Sequence, residues 1–570
     1  MSENISSKNR LSCVLLFALV ISILSWITYG TVEGVLGMLS YIIVGFLAIF
    51  PWIIPFVGIP LGVLDLLGYL DFGIYEFSLK IAHLESSWLS LVWYWIVIII
   101  SIIINIISMI KIISWLKLLK KKKPNKNLAL INCNIIDGNR KSEIITNGVI
   151  LIQNTVKDKE KEIPGLIVGV GKKEDIEIPS DYKKIDIKGS YVLPGLINAH
   201  CHLFGSGKPT KVMQLSEHTL KKLLRLVQTP IGIALSKRGM KKHALTALHA
   251  GVTTLRSMSE FLYLDVKLRK KIEEGKIIGP RILCSGKGIH PTGGHGMLGF
   301  EADSTAEIRK AVRRNIREEV DCIKILSTGG VMDARMVGEA GRPQMTVEEI
   351  EIACFEAHRG KLLIATHCES TEGMKEALLG GVDTIEHGAE ITDELVSLFK
   401  NNPKSLRGYT AVVPTISAGM GLATFPIKVT KITHIKRENA KLIEIRMIKA
   451  LQRAYNEGIK FGVGTDASVP YVPHYEVWKE LKYLIKYTGM SAQDAIYFAT
   501  KNNAEIINID NITGSIEVGK SADLQVVRGN PIEDINYLGQ VSKVIIRGHL
   551  IKNPKVKKIK KLKEIEPIEL

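Results

Sequence analysis

No C-x-x-C pair occurs in the 570 residues, and the cysteines are odd in number: Cys13, Cys133, Cys201, Cys284, Cys322, Cys354 and Cys368. That pattern excludes a disulfide scaffold or a thiolate zinc site as the organising feature, and it fits a reducing compartment. Acidic residues are too few to balance the basic ones: 57 Asp and Glu face 75 Lys and Arg, a net charge of +18. The excess is not spread as a nucleic-acid surface requires. Residues 117–126 (KLLKKKKPNK) hold six lysines and residues 552–563 (KNPKVKKIKKLK) hold seven more. The first patch abuts an apolar segment, so membrane lipid is the expected partner and nucleic acid is not. The plainer reading is a stop-transfer flank and a solvated tail. With 46% apolar and 23% charged residues, the chain is not a disordered one.

Charge is missing altogether from residues 11–29 (LSCVLLFALVISILSWITY), a stretch long enough to span a bilayer. No A-x-A-like cleavage site follows, which favours an uncleaved anchor over a signal peptide. Residues 34–70 carry only Asp65 and are broken by Pro51, Pro55 and Pro60. Residues 88–110 form the clearest span, with Trp88, Trp93, Tyr94 and Trp95 at its interface end. The positive-inside rule places the N-terminus and the lysine run in the cytoplasm, with two or four crossings. The expectation is a multi-pass cell-membrane protein: an anchor region over 1–118, a basic linker over 119–127, and a catalytic part facing the cytoplasm. No charge sits in mid-span with an evident partner, so a transport role has little support.

Beyond the lysines the pattern changes. Residues 128–195 contain short alternating runs that read as a first β-sandwich part, and 511–550 return to strands as a second part. Residues 551–570 are a basic tail. Between them, over 196–510, eight apolar runs alternate with amphipathic helix-like stretches: INAHCH, TTLRSM, RILCSG, CIKILST, LIATHCE, TIEHG, AVVPTI and FGVGTD. The fold class expected is α/β, a (β/α)8 TIM-like barrel with a small β-sandwich built from the flanking segments, preceded by transmembrane helices.

Chemistry-bearing residues close these runs. His200 and His202 are spaced i, i+2, so on a strand both face one side. Alone that pair is a weak signal. It gains force because His367, His387 and Asp466 each end another run, where barrels of this kind place their active sites. Four histidines and a carboxylate suit Zn²⁺ or a similar divalent metal. Lys324 lies inside the apolar run CIKILS, and a buried lysine is costly unless neutralised or paired. Its amine could take up CO₂ as a carbamate, giving a carboxylated lysine that bridges two cations. A lysine with a solvated tip at a strand edge is the plainer alternative.

Taken together, LPGLINAHCHL (193–203), HAGVTTLRSM (249–258), GPRIL (279–283), PTGGHG (291–296), DCIKILSTGGVM (321–332), ATHCESTEGMKEALLGGVDTIEHG (365–388), GVGTDAS (462–468) and GSIEVGKSADLQVVRGNPIEDI (514–535) resemble the amidohydrolase superfamily, in its prolidase-like and imidazolonepropionase-like branch. The resemblance runs from about residue 128 to about residue 550. It implies two Zn²⁺ ions, or one, with His200, His202 and Asp466 on the more buried metal. Carboxylated Lys324 would bridge to a second metal on His367 and His387. It also implies that a metal-activated hydroxide attacks an amide carbonyl, with Asp466 as general base and then general acid. The expected activity is hydrolysis of a C–N bond in a small-molecule substrate: a dipeptide, an N-acyl amino acid or a cyclic amide. Lactone or carbamate hydrolysis, deamination and an inactive membrane scaffold are the alternatives. A homo-oligomer stays open.

Four further residues are candidates for substrate contact. His295, after two glycines in PTGGHG, could hydrogen-bond the carbonyl or the developing oxyanion. Arg256 could clamp a carboxylate or form a structural ion pair. His474 could line the mouth. Glu369 stands where related peptidase-like sequences often carry Tyr, and Ser257 stands where they carry an acid. A glutamate at the mouth disfavours an anionic group and favours a cationic one.

Overall fold

Parallel strands form where the apolar runs lie. In the computed structural model, residues 126–562 are described apart from 155, 159–160, 164, 210–216 and 297–298. Leu196–Cys201 pairs with Val252–Ser257, which pairs with Arg281–Cys284. Cys322–Leu326, Leu363–Cys368, Thr384–His387 and Ala411–Val413 continue in parallel register. A bond from Asp321 N to Cys284 O joins the two groups. Residues 461–467 close the ring, because Phe461 bridges Val412 and Ala467 bridges Cys201. The product is an eight-stranded α/β barrel with helices packed outside it.

The helices hold their places through caps and one apolar face. Thr346 and Glu349 form a capping box on Val347–Arg359, while Ser304 and Ser370 cap Thr305–Arg317 and Thr371–Gly380. Ile308, Val312, Ile350 and Ala353 share one core with Ile323, Ile325 and Ile364 of the barrel. Strand alternation then turns Lys324, between Ile323 and Ile325, away from the helices and into the barrel. This is what carries a charged side chain into a buried interior.

The flanking segments meet in one sheet. Tyr191–Pro194 pairs antiparallel with Leu524–Val527, so residues before and after the barrel share eight strands. The sheet curls until its edge strand Leu166–Lys172 returns to Ser521 through a bridge. Leu130, Ile150, Ile167, Val192, Leu524 and Ile545 fill the inside. A single curled sheet with its own core therefore replaces the expected sandwich.

The expected transmembrane helices are corrected. Among the described residues, no helix is long and apolar enough to cross a membrane. His434–Glu457 has 24 residues, about 36 Å at the usual rise. It carries Lys436, Arg437, Glu438, Lys441, Glu444 and Arg446, and each charge at a bilayer centre costs about 2.5–3.5 kcal/mol. Pro230–His249 is excluded in the same way by Lys237, Arg238, Lys241 and Lys242. The stretches 11–29, 34–70 and 88–110 and most of the lysine run lie outside the described residues. The multi-pass, cytoplasm-facing localisation is corrected with the helices. The lipid partner and the oligomer find no support in the described residues.

Candidate active site

The carboxyl ends of the barrel strands bring His200, His202, Lys324, His367, His387 and Asp466 together. His200 and His202 end the first strand, and their rings lie 5.4 Å apart. Asp466 approaches from the eighth: its Oδ1 is 2.9 Å from His202 Nε2 and 3.4 Å from His200 Nε2. His387 stands 5.1 Å from His200 and 4.6 Å from His367, centroid to centroid. Donor atoms of His200, His387 and Asp466 fall within 4.8 Å of one another. Lys324, 2% exposed, stands close enough for its charge to be felt by His202, His367 and His387.

Two of these residues have left-handed backbone, His387 with φ +71° and Asp466 with φ +56°. Such conformations are uncommon outside glycine and cost about 1–3 kcal/mol each. Their consequence is local. Neighbours on a regular strand point to opposite faces. The turn at His387 lets both Glu386 and His387 reach the site. Gly464 has a related role: a Cβ there would lie 2.7 Å from His200 Cβ and 2.8 Å from Val413 Cγ1. Only glycine lets the eighth strand close against the first.

Beneath the cluster runs a satisfied ionic chain that sequence reasoning missed. Glu386 Oε2 is 2.5 Å from His200 Nδ1, and Glu386 Oε1 accepts from Arg256 at 2.6 Å and from Thr384 at 2.7 Å. Burial opposes the Glu386 charge, but Arg256 and His200 overcome it and hold the carboxyl well below its usual range. An ionised carboxylate only accepts, so His200 Nδ1 carries a proton, and Nε2 is the ring atom turned to the site. His387 Nδ1 lies 2.7 Å from Thr415 Oγ1, which fixes the orientation of the ring. Arg256 is therefore a structural ion pair and not a carboxylate clamp; its other contacts are Ala199 O and Thr384 Oγ1. The one signal for Glu386 was its place beside His387 on a run of alternating residues.

Above that chain the polar atoms lack partners. Lys324 Nζ, His367 Nε2 and Glu369 Oε2 are buried without a hydrogen bond, and Asp466 Oδ1 meets only the two imidazoles of His200 and His202. Orphaned buried atoms of this kind call for an explanation such as an ion. Burial pushes the Lys324 amine down to about 8 and holds His367 and His387 well below the usual imidazole range. Burial would raise Asp466, yet His200 and His202 keep it well below the usual carboxylate range. Neutral imidazoles, an ionised carboxylate and a deprotonable amine are the states a metal site requires. The donor set fits one or two divalent cations.

His295 stacks on His367 with 4.2 Å between centroids, and its Nδ1 bonds to Asp333 Oδ2. Burial lowers its pKa, but Asp333 outweighs burial and the net shift is upward. Asp333 was not foreseen; its only sequence signal was its place in the glycine-rich segment after CIKILS. Glu369 Oε1 lies 3.9 Å from His367 Nε2, and burial pushes the carboxyl up to about 8. His474 does not line the mouth. It is buried, stacks on His243, and its Nε2 donates to Gly205 O at 2.8 Å, bracing the loop that follows His202. Burial lowers its pKa to about 3, so it stays neutral. Glu260 braces the same loop from the second strand, accepting from Leu203 N and from Ser257 Oγ. It supplies the acid that Ser257 lacks.

Residues 191–551 match the Amidohydrolase family, and the chain belongs to that family. Ochratoxinase of Aspergillus niger is 26% identical over 342 residues, covering 54% of this chain and 67% of the relative. A solved structure described as a "putative prolidase" from Bifidobacterium longum is 37% identical with TM-score 0.67, covering 77% of this chain and 97% of that one. A Xaa-Pro dipeptidase solved with methionine in its active site is 31% identical with TM-score 0.61, covering 75% and 100%. The chain is a hydrolase acting on carbon–nitrogen bonds.

Proposed function

We propose that the chain is a divalent-metal amidohydrolase cleaving the amide bond of a dipeptide, an N-acyl amino acid or a cyclic amide. The observation that carries this is the set of buried ligand atoms at the strand ends: unpartnered Lys324 Nζ and His367 Nε2, beside Asp466 Oδ1, which meets only His200 and His202. His200, His202 and Asp466 would hold one cation, and His367 and His387 a second. Lys324 would supply a further oxygen ligand as a carbamate: its neutral amine would attack CO₂, forming an N–C bond as one C=O π pair moves to oxygen, and the nitrogen proton would leave to solvent. Zinc or a similar ion bound there supplies Lewis acidity and makes water acidic near neutral pH.

The chain's own residues do the rest. Asp466 accepts the proton of the attacking water and delivers it to the leaving nitrogen. It can do so because His200 and His202 keep it ionised beforehand. His295 donates from Nε2 to the carbonyl oxygen as negative charge develops there. Asp333 accepts from Nδ1 and raises the imidazole pKa, favouring the imidazolium in which Nε2 also carries a proton. Glu386 and Thr415 keep His200 and His387 turned toward the centre.

The test is metal analysis of the full chain purified with bicarbonate, with Lys324→Ala and Asp466→Asn beside it. Wild type should hold about two divalent ions per chain, falling to one or none in Lys324→Ala. A panel of dipeptides, N-acyl amino acids, cyclic amides and lactones should show turnover of amides that Asp466→Asn loses. A folded wild type without metal, or turnover of lactones alone, refutes the reading.

A further inference from the structure

We infer that Glu369 is a specificity residue that receives a cationic group of the substrate, so the amide cleaved belongs to an acyl unit with a free ammonium, as in a dipeptide. This rests on the proposed amide hydrolysis and narrows its substrate class. Glu369 is 7% exposed, and its Oε2 has no hydrogen-bond partner. A carboxylate oxygen buried without a donor costs free energy unless something supplies one. The backbone does not: Glu369 N is committed to Thr328 Oγ1. Nor do the nearby cations. Arg256 is taken by Glu386, and Arg446 reaches Glu369 through its field without an ion pair closer than 4 Å.

Its neighbours place Glu369 on the substrate side of the donor cluster. The charged groups it feels are His295 and Asp333 first, then Asp466. His295 is the residue set to meet the carbonyl oxygen, and it stacks on His367, whose Nε2 is 3.9 Å from Glu369 Oε1. The three residues that group as a metal cluster are His200, His387 and Asp466, and Glu369 is not among them. A carboxylate beside the carbonyl-binding histidine stands where the atoms flanking that carbonyl must lie. An ammonium on the acyl side fills that position with three donors. A carboxylate on the acyl side would face Glu369, Asp333 and Asp466 together and be repelled. The clamp expected from Arg256, which would have offset that repulsion, is absent.

The experiment compares matched substrates on the full metal-loaded chain: alanyl-leucine, its desamino analogue propionyl-leucine, and succinyl-leucine, with the phenylalanine and proline series beside them. Each is measured for kcat/KM and, separately, for thermal shift of the protein, in wild type, Glu369→Gln and Glu369→Asp. Metal content is determined for all three. Wild type should favour the ammonium form over the desamino form by about tenfold or more, the size of one hydrogen bond to a charged group. In Glu369→Gln that ratio should fall toward unity, and Glu369→Asp should restore part of it. A merely structural role would lower both substrates together and leave the ratio unchanged, which overturns the proposal. Equal use of the two forms by wild type overturns it too, as does loss of metal in Glu369→Gln, which would make Glu369 a ligand. If no amide is turned over while the thermal shift keeps the ammonium preference, amide hydrolysis fails and the cation site stands.

Discussion

Replacing Glu386 by Gln should uncouple the site from its foundation. The carboxylate accepts from Arg256 on one oxygen and from His200 on the other, with all three side chains no more than 1% exposed. Glutamine keeps the shape but has one acceptor oxygen where two are used, so one partner must face an N–H₂ group. If Arg256 loses its acceptor, a buried guanidinium is left unpaired, which costs about 3–5 kcal/mol. If His200 loses it, the imidazole can recover only by holding its proton on Nε2, which removes the lone pair that a bound cation would need. Metal affinity then falls by about 10–100-fold. Urea unfolding of the metal-free protein reads the first effect, and competition with a chelator of known affinity reads the second. Stability should also depend on pH in a defined direction. The folded pKa lies well below the unfolded one, so the Glu386 contribution is complete above about pH 4.3 and is lost as pH falls toward the folded value. Adding Arg256→Gln should recover part of the stability, since no unpaired charge remains, but none of the metal affinity. A Glu386→Gln variant within about 0.5 kcal/mol of wild type, with unchanged metal affinity, refutes the argument.

The remaining predictions follow from single contacts. Glu480 accepts from Ile416 N and Ser417 N while burial pushes it up to about 8, so its contribution is complete below the ordinary carboxylate range and is lost as pH rises toward 8. Unfolding free energies of wild type should therefore decline over about pH 5–8, and Glu480→Gln should lessen that slope, which Glu369 and Glu444 share; a slope unchanged in the variant refutes the assignment to Glu480. Asp333→Asn should lower kcat/KM by about 10²-fold with metal content intact, because His295 loses the carboxylate charge that favours the imidazolium able to donate from Nε2. A variant that loses metal instead would place Asp333 in the metal shell. Gly464→Ala sets a methyl against His200 and Val413 and should cost about 1–3 kcal/mol and weaken metal binding, measured by unfolding and chelator competition.

What was legible in the sequence was the residues that announce their own chemistry. His200, His202, His367, His387 and Asp466 ended apolar runs, and those ends meet because parallel strands of a barrel share one direction. Lys324 was conspicuous as a charge within an apolar strand. The supporting residues were hidden for a physical reason. Glu386 precedes His387, and strand alternation would turn it to the opposite face; the left-handed backbone at His387 cancels that rule, and no residue type there signals it. Arg256 ends a strand as a substrate clamp would, and its burial under Glu386 depends on a partner 130 positions away. The curled sheet reads like a sandwich along the chain, since its closure through Ser521 is a matter of twist. The apolar stretches before residue 118 raised an expectation of membrane spans that the described helices do not meet.

The distribution of hydrogen bonds separates this site from an ordinary ionic core. An ionic core lowers its own cost by pairing every group it buries. The lower layer does that: Arg256, Thr384, Glu386, His200, His387 and Thr415 are all joined. The upper layer does the reverse, leaving Lys324 Nζ, His367 Nε2 and Glu369 Oε2 without partners. Lys324 and Glu369 carry opposite formal charges, both feel Asp466, and yet they do not pair. The upper groups stay unpaired above a fully paired layer. Their free energy is recovered only when something arrives between them: cations for the nitrogens and Asp466, and a substrate ammonium for Glu369.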